Sequence, residues 1–396
     1  MTDALHIHRR LLLGGLGAGI GLAFAGRASA QPSAGRPKLV MIIARGAMDG
    51  LSVTVPYGDP NYRNLRGALA IPEPGQANGA LALGDGFGLH PALKTLHDLH
   101  GAGQMRFAPA VALPVRVRSH FDAQDVLENG GETQRAQSDG WLNRALVAAG
   151  GAGGPKGLSI GAQTPLILRG AAETSSWAPG GQIKGEDRIA SLLQDLYVDD
   201  PMLGHNLARG LETEALAGAM GDGAAPLRRN DVAGLGLAAA RLMTGEQGAD
   251  VVALSVDGWD THARQLGQLQ PRLEGLDALI GGLKTGLGEE WSRTVLIVAT
   301  EFGRTARANG TQGTDHGTAS SLLLAGGAIK AGGPIGDWPT LAENRLFENR
   351  DLAPTLDVRS VFKGVLRDHL GVDRAALDSK VFPDSAAEAP TLTGLV

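Results

Sequence analysis

The last third of the chain switches between two hydrophobic periods, and that switch restricts the fold more than any other feature. Asp250 to Val256 is a Val-rich apolar run of strand length. Leu266, Leu269, Leu273, Leu276, Ile280, Leu283 and Leu287 follow at helical spacings of three and four, and Thr294 to Thr300 is a second apolar run. A strand, a long helix and a strand make a βαβ unit, which predicts parallel strands joined by a right-handed crossover. Lys38 to Ala44 is apolar without alternation, the pattern of a strand buried on both faces. Met105 to Leu113 and Ser320 to Ala325 read as further strands, and Pro91 to His100 and Gly140 to Ala149 as helices.

Two stretches interrupt this α/β pattern. Residues 56–88 are rich in Pro, Gly and Asn and are predicted to be a surface loop near the site. Residues from about 187 to 247 read as a mostly helical section, a cap or an inserted helical layer. No internal repeat is visible. The organisation predicted is a single α/β domain over 38–396, preceded by a linker over 31–37 and a targeting segment over 1–30.

The targeting segment rests on three features in order: the pair Arg9-Arg10, an uncharged Gly/Leu/Ala stretch to Gly26, and the small residues Ala28-Ser29-Ala30. This is the pattern of a twin-arginine signal, so the expected partner is the twin-arginine translocase and the expected location is periplasmic or secreted, with cleavage near Ala30. The apolar stretch is too short and Gly-rich for a permanent membrane span. The chain carries 36 basic and 41 acidic residues. Removing the first thirty residues takes three of the basic and one of the acidic, leaving a net charge near minus seven, which argues against a nucleic-acid partner. There is no cysteine, so disulfides, thiolate ligands and cysteine nucleophiles are excluded and any metal must sit on His, Asp or Glu.

Ionisable residues gather just beyond the predicted strands: Asp49, Ser119 and His120, Asp257, Asp260 and His262, Glu301 and Arg304. In an open parallel sheet those strand ends face one crevice, where ligands bind. Singly, each residue also fits a helix cap or a hydrogen-bonded structural histidine. Asp260 and His262, two apart in one loop, can turn toward a single ion, and His316 with Asp49 or Glu301 completes a carboxylate and imidazole set. That set suits one or two divalent ions, zinc or manganese, and magnesium or calcium where more oxygen ligands contribute. Arg304 offers a fixed positive fork. Ser119 stands at a predicted helix start, where backbone N–H groups favour an anion, and is a candidate nucleophile with the alternative of a plain N-cap. No G-x-S-x-G elbow accompanies it, which argues against ordinary serine esterase chemistry despite the adjacent His120.

Several longer motifs carry a family resemblance: Gly46-Ala47-Met48-Asp49-Gly50, Arg118-Ser119-His120-Phe121-Asp122-Ala123-Gln124, Gly258-Trp259-Asp260-Thr261-His262, Thr300-Glu301-Phe302-Gly303-Arg304-Thr305, Asp315-His316-Gly317 and Leu356-Asp357-Val358-Arg359-Ser360-Val361. With the twin-arginine start, they resemble the bacterial domain of unknown function 1501 family, itself similar to the alkaline phosphatase and sulfatase superfamily. The resemblance implies a doubly wound α/β fold, a mostly parallel sheet with helices on both faces. It also implies roles: Asp49 as the first metal aspartate, Ser119 as nucleophile, Asp260 and His262 as an Asp/His pair, Glu301 as the later acidic ligand and His316 as the last histidine. The chain departs from active phosphatases in two places. Glu301-Phe302 stands where they have an Asp-His pair, so one imidazole is missing, and the Asp-to-His spacing in the middle loop is short. His120 or Asp257 is the candidate to compensate, and Asp257 is the alternative to Asp260.

The resulting expectation is an exported metal-dependent hydrolase of phosphate or sulfate esters, or of a related tetrahedral-anion group on a small anionic ester or polymer. In it Ser119, Arg304 and His120 act on the anion while Asp49 and Glu301 hold one ion and Asp260, His262 and His316 the other. The rival expectation is a non-catalytic exported binding or assembly protein on the same fold.

Overall fold

Residues 39–44 alternate between two buried layers: Leu39, Met41 and Ile43 join one hydrophobic cluster, Val40, Ile42 and Ala44 the other, and none is more than 1 % exposed. A strand with apolar side chains on both faces must be covered on both. In the computed structural model this strand, β1 (Lys38–Arg45), lies inside an eight-stranded sheet. The residues described are 35–150, 154–161, 163–179, 188–197, 200–219 and 231–396, so the expected signal segment 1–30 and most of the linker lie outside them. From Arg36 onward the chain forms one compact unit.

The remaining strands are β2 (Thr54–Val55), β3 (Leu81–Gly84), β4 (Phe87–Leu89), β5 (Met105–Ala112), β6 (Gly157–Ile160), β7 (Thr174–Trp177), β8 (Val251–Asp257), β9 (Thr294–Ala299), β10 (Ser320–Ala325) and β11 (Leu356–Asp357). The large sheet has the order β11-β5-β10-β9-β1-β8-β6-β7. β10 runs antiparallel to both its neighbours and the other pairings are parallel, so the sheet is mostly parallel. β8 and β9 are parallel, as the βαβ pattern predicts, but β1 lies between them and pairs with both.

Among the described residues the α-helices of four or more residues are α1 (Gly50–Val53), α2 (Tyr62–Arg66), α3 (Lys94–Gly101), α4 (His120–Asn129), α5 (Trp141–Ala149), α6 (Arg188–Leu196), α7 (Pro201–Ala219), α8 (Val232–Met243), α9 (Gln265–Leu287) and α10 (Val358–Leu370). Val126 of α4, Trp141 of α5 and Phe362 of α10 pack on the face of Leu39, Met41 and Ile43, while Leu96 of α3, Met243 of α8 and Leu273 of α9 pack on the opposite face. Helices on both faces of a mostly parallel sheet make the fold doubly wound. Trp141 anchors one layer: its ring stacks on Phe362 at 4.7 Å and its indole N–H donates to the Leu127 carbonyl at 2.9 Å. The section from about 187 to 247 holds α6, α7 and α8 among its described residues, and no described helix is long and apolar enough to cross a membrane.

The structure corrects the reading of residues 56–88 as an irregular surface loop. The segment contains α2 and a hairpin, β3 and β4, which adds β2 to make a three-stranded antiparallel sheet. Gly84, Asp85 and Gly86 all have positive φ and form the tight turn between β3 and β4. Tyr62, Ile71 and Ala80 of this segment join a third buried cluster with Leu51 and Leu352. The Gly/Asp turn between short apolar runs was the overlooked signal; the density of Gly and Pro around it hid a packed subdomain layer.

Candidate functional site

Parallel strands place their carboxyl ends at one edge, so the loops after β1, β8 and β9 emerge together. β5 runs the same way and leads through residues 113–119 to the start of α4. β10 is antiparallel, so it brings its beginning to that edge, which is how His316, four residues before a strand, meets residues that follow strands. Gly46 lets the first loop close on the second: its φ is +113°, and a Cβ there would lie 2.8 Å from the Asp260 backbone nitrogen.

Four side chains converge. His120 Nε2 and His262 Nε2 each lie 3.0 Å from His316 Nε2. Asp260 Oδ1 is 2.9 Å from His262 Nε2 and 3.1 Å from His316 Nε2, and Asp260 Oδ2 is 3.4 Å from His120 Nε2. The ligand atoms of His120, Asp260 and His316 lie within 4.8 Å of one another, and His262 touches two of the three.

The outer nitrogens show which way each ring is used. His120 Nδ1 donates to Glu301 Oε1 at 2.8 Å, His316 Nδ1 to the Arg118 carbonyl at 2.8 Å, and His262 Nδ1 to Asp315 Oδ1 at 3.1 Å. With no ion bound, Asp260 Oδ1 can accept from His262 or His316 Nε2, but the partner of each Nδ1 is an acceptor only, so a neutral ring that keeps that bond turns the lone pair of Nε2 inward. Three lone pairs and a carboxylate facing one another repel, and a cation converts the repulsion to attraction. The separations suit one: an ion with tetrahedral bonds of ~2.1 Å holds its ligand atoms ~3.4 Å apart. An acceptor behind each ligating imidazole is also the usual support of a metal-bound histidine. The donor set therefore fits a metal ion.

Electrostatics follow from the neighbours. Burial pushes the Asp260 carboxyl up, but the hydrogen bond and charge of Arg304, with help from His262 and His316, more than offset this and hold it below the usual range. Burial likewise raises Glu301, and hydrogen bonds from His120, Gln124 and the Gly46 backbone outweigh it. The His120 ring is raised by its hydrogen bond to Glu301, against desolvation, whereas burial lowers His316. Phe302 stacks on His120 with centroids 4.9 Å apart and tilts against His316 at 5.1 Å.

The cluster contains His120, Asp260, His262 and His316, and the exposed Asp257 is not among these four. Glu301 is fully buried and stands behind His120. Its Oε1 accepts from Gly46 N at 2.9 Å, His120 Nδ1 at 2.8 Å and Gln124 Nε2 at 2.9 Å, and its Oε2 from the Thr300 hydroxyl at 2.9 Å. Arg304 does not face the crevice. Its side chain is 0 % exposed, and it donates to Asp260 Oδ1 at 2.6 Å and to the Thr314 hydroxyl and carbonyl. Asp49 is outside the cluster, paired with the buried Arg66. Ser119 is the N-cap residue of α4, exposed, with its hydroxyl free of hydrogen bonds to the described residues, between Arg118 and His120, which both touch the cluster.

The sequence reading missed Gln124, Asp315 and Arg66. Gln124 had a signal: His120, Gln124 and Glu128 recur every four residues and line one face of α4, where Gln124 and Glu128 are tied by Arg45 at 2.8 and 2.7 Å. Asp315 adjoins His316 but bonds His262, and Arg66 lies inside the misread excursion, so neither had a local signal.

Residues 36–381 match the family model described as Protein of unknown function (DUF1501). No curated protein matches. Similar solved structures include a 2-O GAG sulfatase, at 11 % identity over 91 % of this chain and 73 % of that chain with a TM-score of 0.39. The alkaline phosphatase from the Antarctic bacterium TAB5 is 10 % identical over 74 % and 91 %, with a TM-score of 0.37. The C-terminal periplasmic domain of EcEptC from Escherichia coli is 8 % identical over 91 % and 90 %, also at 0.37.

Proposed function

The chain belongs to the DUF1501 family, and from that premise we propose that it is an exported metal-dependent hydrolase of phosphate or sulfate esters, or of a related tetrahedral-anion group. The observation that carries this reading is the inward convergence of three imidazole nitrogens and one carboxylate, each imidazole fixed from behind by an acceptor. His120, Asp260, His262 and His316 would hold the ion. A set richer in nitrogen than oxygen favours zinc, or another nitrogen-seeking transition ion, over magnesium or calcium. When bound, a divalent ion supplies Lewis-acid polarisation of a tetrahedral anion and lowers the pKa of a hydroxyl or water.

The chain's own residues do the rest. Arg304 holds the Asp260 carboxylate in place and ionised. Glu301, Asp315 and the Arg118 carbonyl fix the imidazole orientations. The start of α4 points its first backbone N–H groups and the positive end of its dipole toward the same edge, a position suited to a small anionic ester or the end of an anionic polymer. Ser119 stands there to attack or to position the anionic centre.

Elemental analysis of the folded mature protein, purified without chelator or affinity nickel, tests the centre. Bound transition metal that is lost in Asp260→Asn and His262→Ala is expected, and metal content unchanged by either substitution refutes the assignment. Export belongs to the same proposal: the twin-arginine translocase would carry the folded chain out and cleavage near Ala30 would release it. Replacing Arg9 and Arg10 with lysine should leave a full-length precursor inside the cell, and normal processing of that variant would rule the pathway out.

One observation favours a second reading, a non-catalytic exported binding or assembly protein. Four protein donors can close the coordination of a tetrahedral ion, as in structural sites. Ser119→Ala separates the two: it abolishes turnover of aryl phosphate or sulfate esters with metal retained if the site is catalytic, and changes nothing if the site is structural.

A further inference from the structure

We infer that the centre takes a single divalent ion, and that the buried guanidinium of Arg66 stands as the permanent cation opposite Asp49, where a two-ion site would place its second metal. This inference rests on the metal-centre reading above and narrows it.

Asp49 is the residue that the family motifs point to as a first ligand, and it is 1 % exposed. Its Oδ2 accepts from Arg66 Nη2, from Gln265 Nε2 and, at 2.7 Å, from the Ser52 hydroxyl. The Arg66 side chain is 0 % exposed and its other donations go to Ser52 Oγ at 3.0 Å and the Thr305 and Ala306 carbonyls at 3.3 and 3.5 Å. Asp49 Oδ1 is buried without a hydrogen-bond partner, but the carboxylate already has its countercharge at Oδ2, and a divalent ion beside it would share a buried space with the Arg66 guanidinium. Glu301, the other residue expected to hold that ion, has three N–H donors at its Oε1 and the Thr300 hydroxyl at its Oε2, 2.9 Å away, so a cation there would meet their positive ends. Among the described residues, His120, Asp260 and His316 make the one cluster of His, Asp and Glu groups close enough to share an ion.

The two cations are linked through buried polar groups. Gln265 donates to Asp49 and accepts from Thr314 Oγ1 at 2.6 Å, Thr314 Oγ1 accepts from Arg304 Nε at 3.1 Å, and Arg304 Nη1 holds Asp260. Arg66 thus fixes one end of a chain whose other end is a ligand of the ion. It reaches Asp49 from α2, in the part of the chain where no metal chemistry was expected.

The test is the metal stoichiometry of the full chain after saturation with zinc and removal of the excess, read by mass spectrometry of the elements. One equivalent is expected in the wild type, and one still in the Asp49→Asn, Arg66→Gln double variant, which removes both buried charges together and avoids leaving either alone. Loss of that equivalent in His316→Ala completes the expected set. Two equivalents in the wild type, or loss of the single equivalent from the double variant while circular dichroism shows it folded, would overturn the inference and leave the metal-centre reading standing. Zero equivalents in the wild type would overturn both. If the double variant does not fold, the wild-type count alone decides.

Discussion

Replacing Glu301 with glutamine removes one charge from behind the centre and little else. The carboxylate is fully buried, accepts three N–H bonds at Oε1, and sits with Oε2 2.9 Å from the Thr300 hydroxyl. A glutamine carbonyl can keep the bonds from Gly46, His120 and Gln124. Its new N–H group can donate to the Thr300 oxygen, whose own proton has the Ala44 carbonyl at 2.6 Å. The second N–H of the new amide is left without an acceptor, so stability should fall by about 1–3 kcal/mol, which chemical denaturation reads. Alanine would be a poor test, because three buried donors left without partners at ~1–3 kcal/mol each approach the whole stability of a domain. The electrostatic loss falls on His120, whose basicity the carboxylate sustains. Acceptors behind a ligating histidine are worth about 10–100-fold in metal affinity, or ~1.4–2.7 kcal/mol. Competition against a chelator of known affinity measures it, with Asp315→Asn as the graded control. Asp315 supports His262 in the same way, but its side chain is 56 % exposed and solvent screens it, so roughly threefold or less is expected. Zinc affinity within twofold of wild type in a folded Glu301→Gln protein would refute the argument that Glu301 acts through His120.

Other perturbations probe separate parts of the structure. Burial pushes the His90 imidazole down to about 4. The unfolded chain takes up that proton near pH 6.5, so His90 leaves stability intact above pH 6.5 and costs the fold progressively, to about 3 kcal/mol, as pH falls toward 4. His90→Asn, whose side-chain oxygen can accept from Ala92 N as the ring does, should flatten the pH dependence of the urea midpoint in that window; an unchanged slope would exclude His90 as its source. Gly46→Ala forces a side chain onto the Asp260 backbone at a positive φ, and should lower both the melting temperature and the zinc affinity; a variant with wild-type values of both would show that the two loops tolerate separation. Trp141→Ala empties the space between Phe362 and Phe382 and should cost ~3–5 kcal/mol in chemical denaturation without changing metal stoichiometry. A changed stoichiometry would mean that this layer shapes the centre.

What the sequence determined by itself was the layer structure and the edge at which the chemistry gathers. The two-sided apolar run of β1, the helical leucines of α9 and the runs of β8 and β9 are local patterns of burial, and burial on a sheet or a helix is written with a fixed period along the chain. The same logic placed Asp260, His262, Glu301 and Arg304 beyond strand ends and His120 at a helix start, and the lack of cysteine restricted the ligand types. Tertiary structure decided the role of each. The antiparallel course of β10 delivers His316 to the cluster, because strand direction depends on which neighbour a strand pairs with and not on its own residues. Glu301 stands behind His120 because Gly46, His120 and Gln124, from two distant segments, all donate to its Oε1. Asp49 is paired with Arg66, which comes from a hairpin-bearing segment that reads as loop and meets it in the interior. A buried charge takes whichever countercharge the packed chain brings within about 3 Å, and that choice is made across separations in sequence that no local period records.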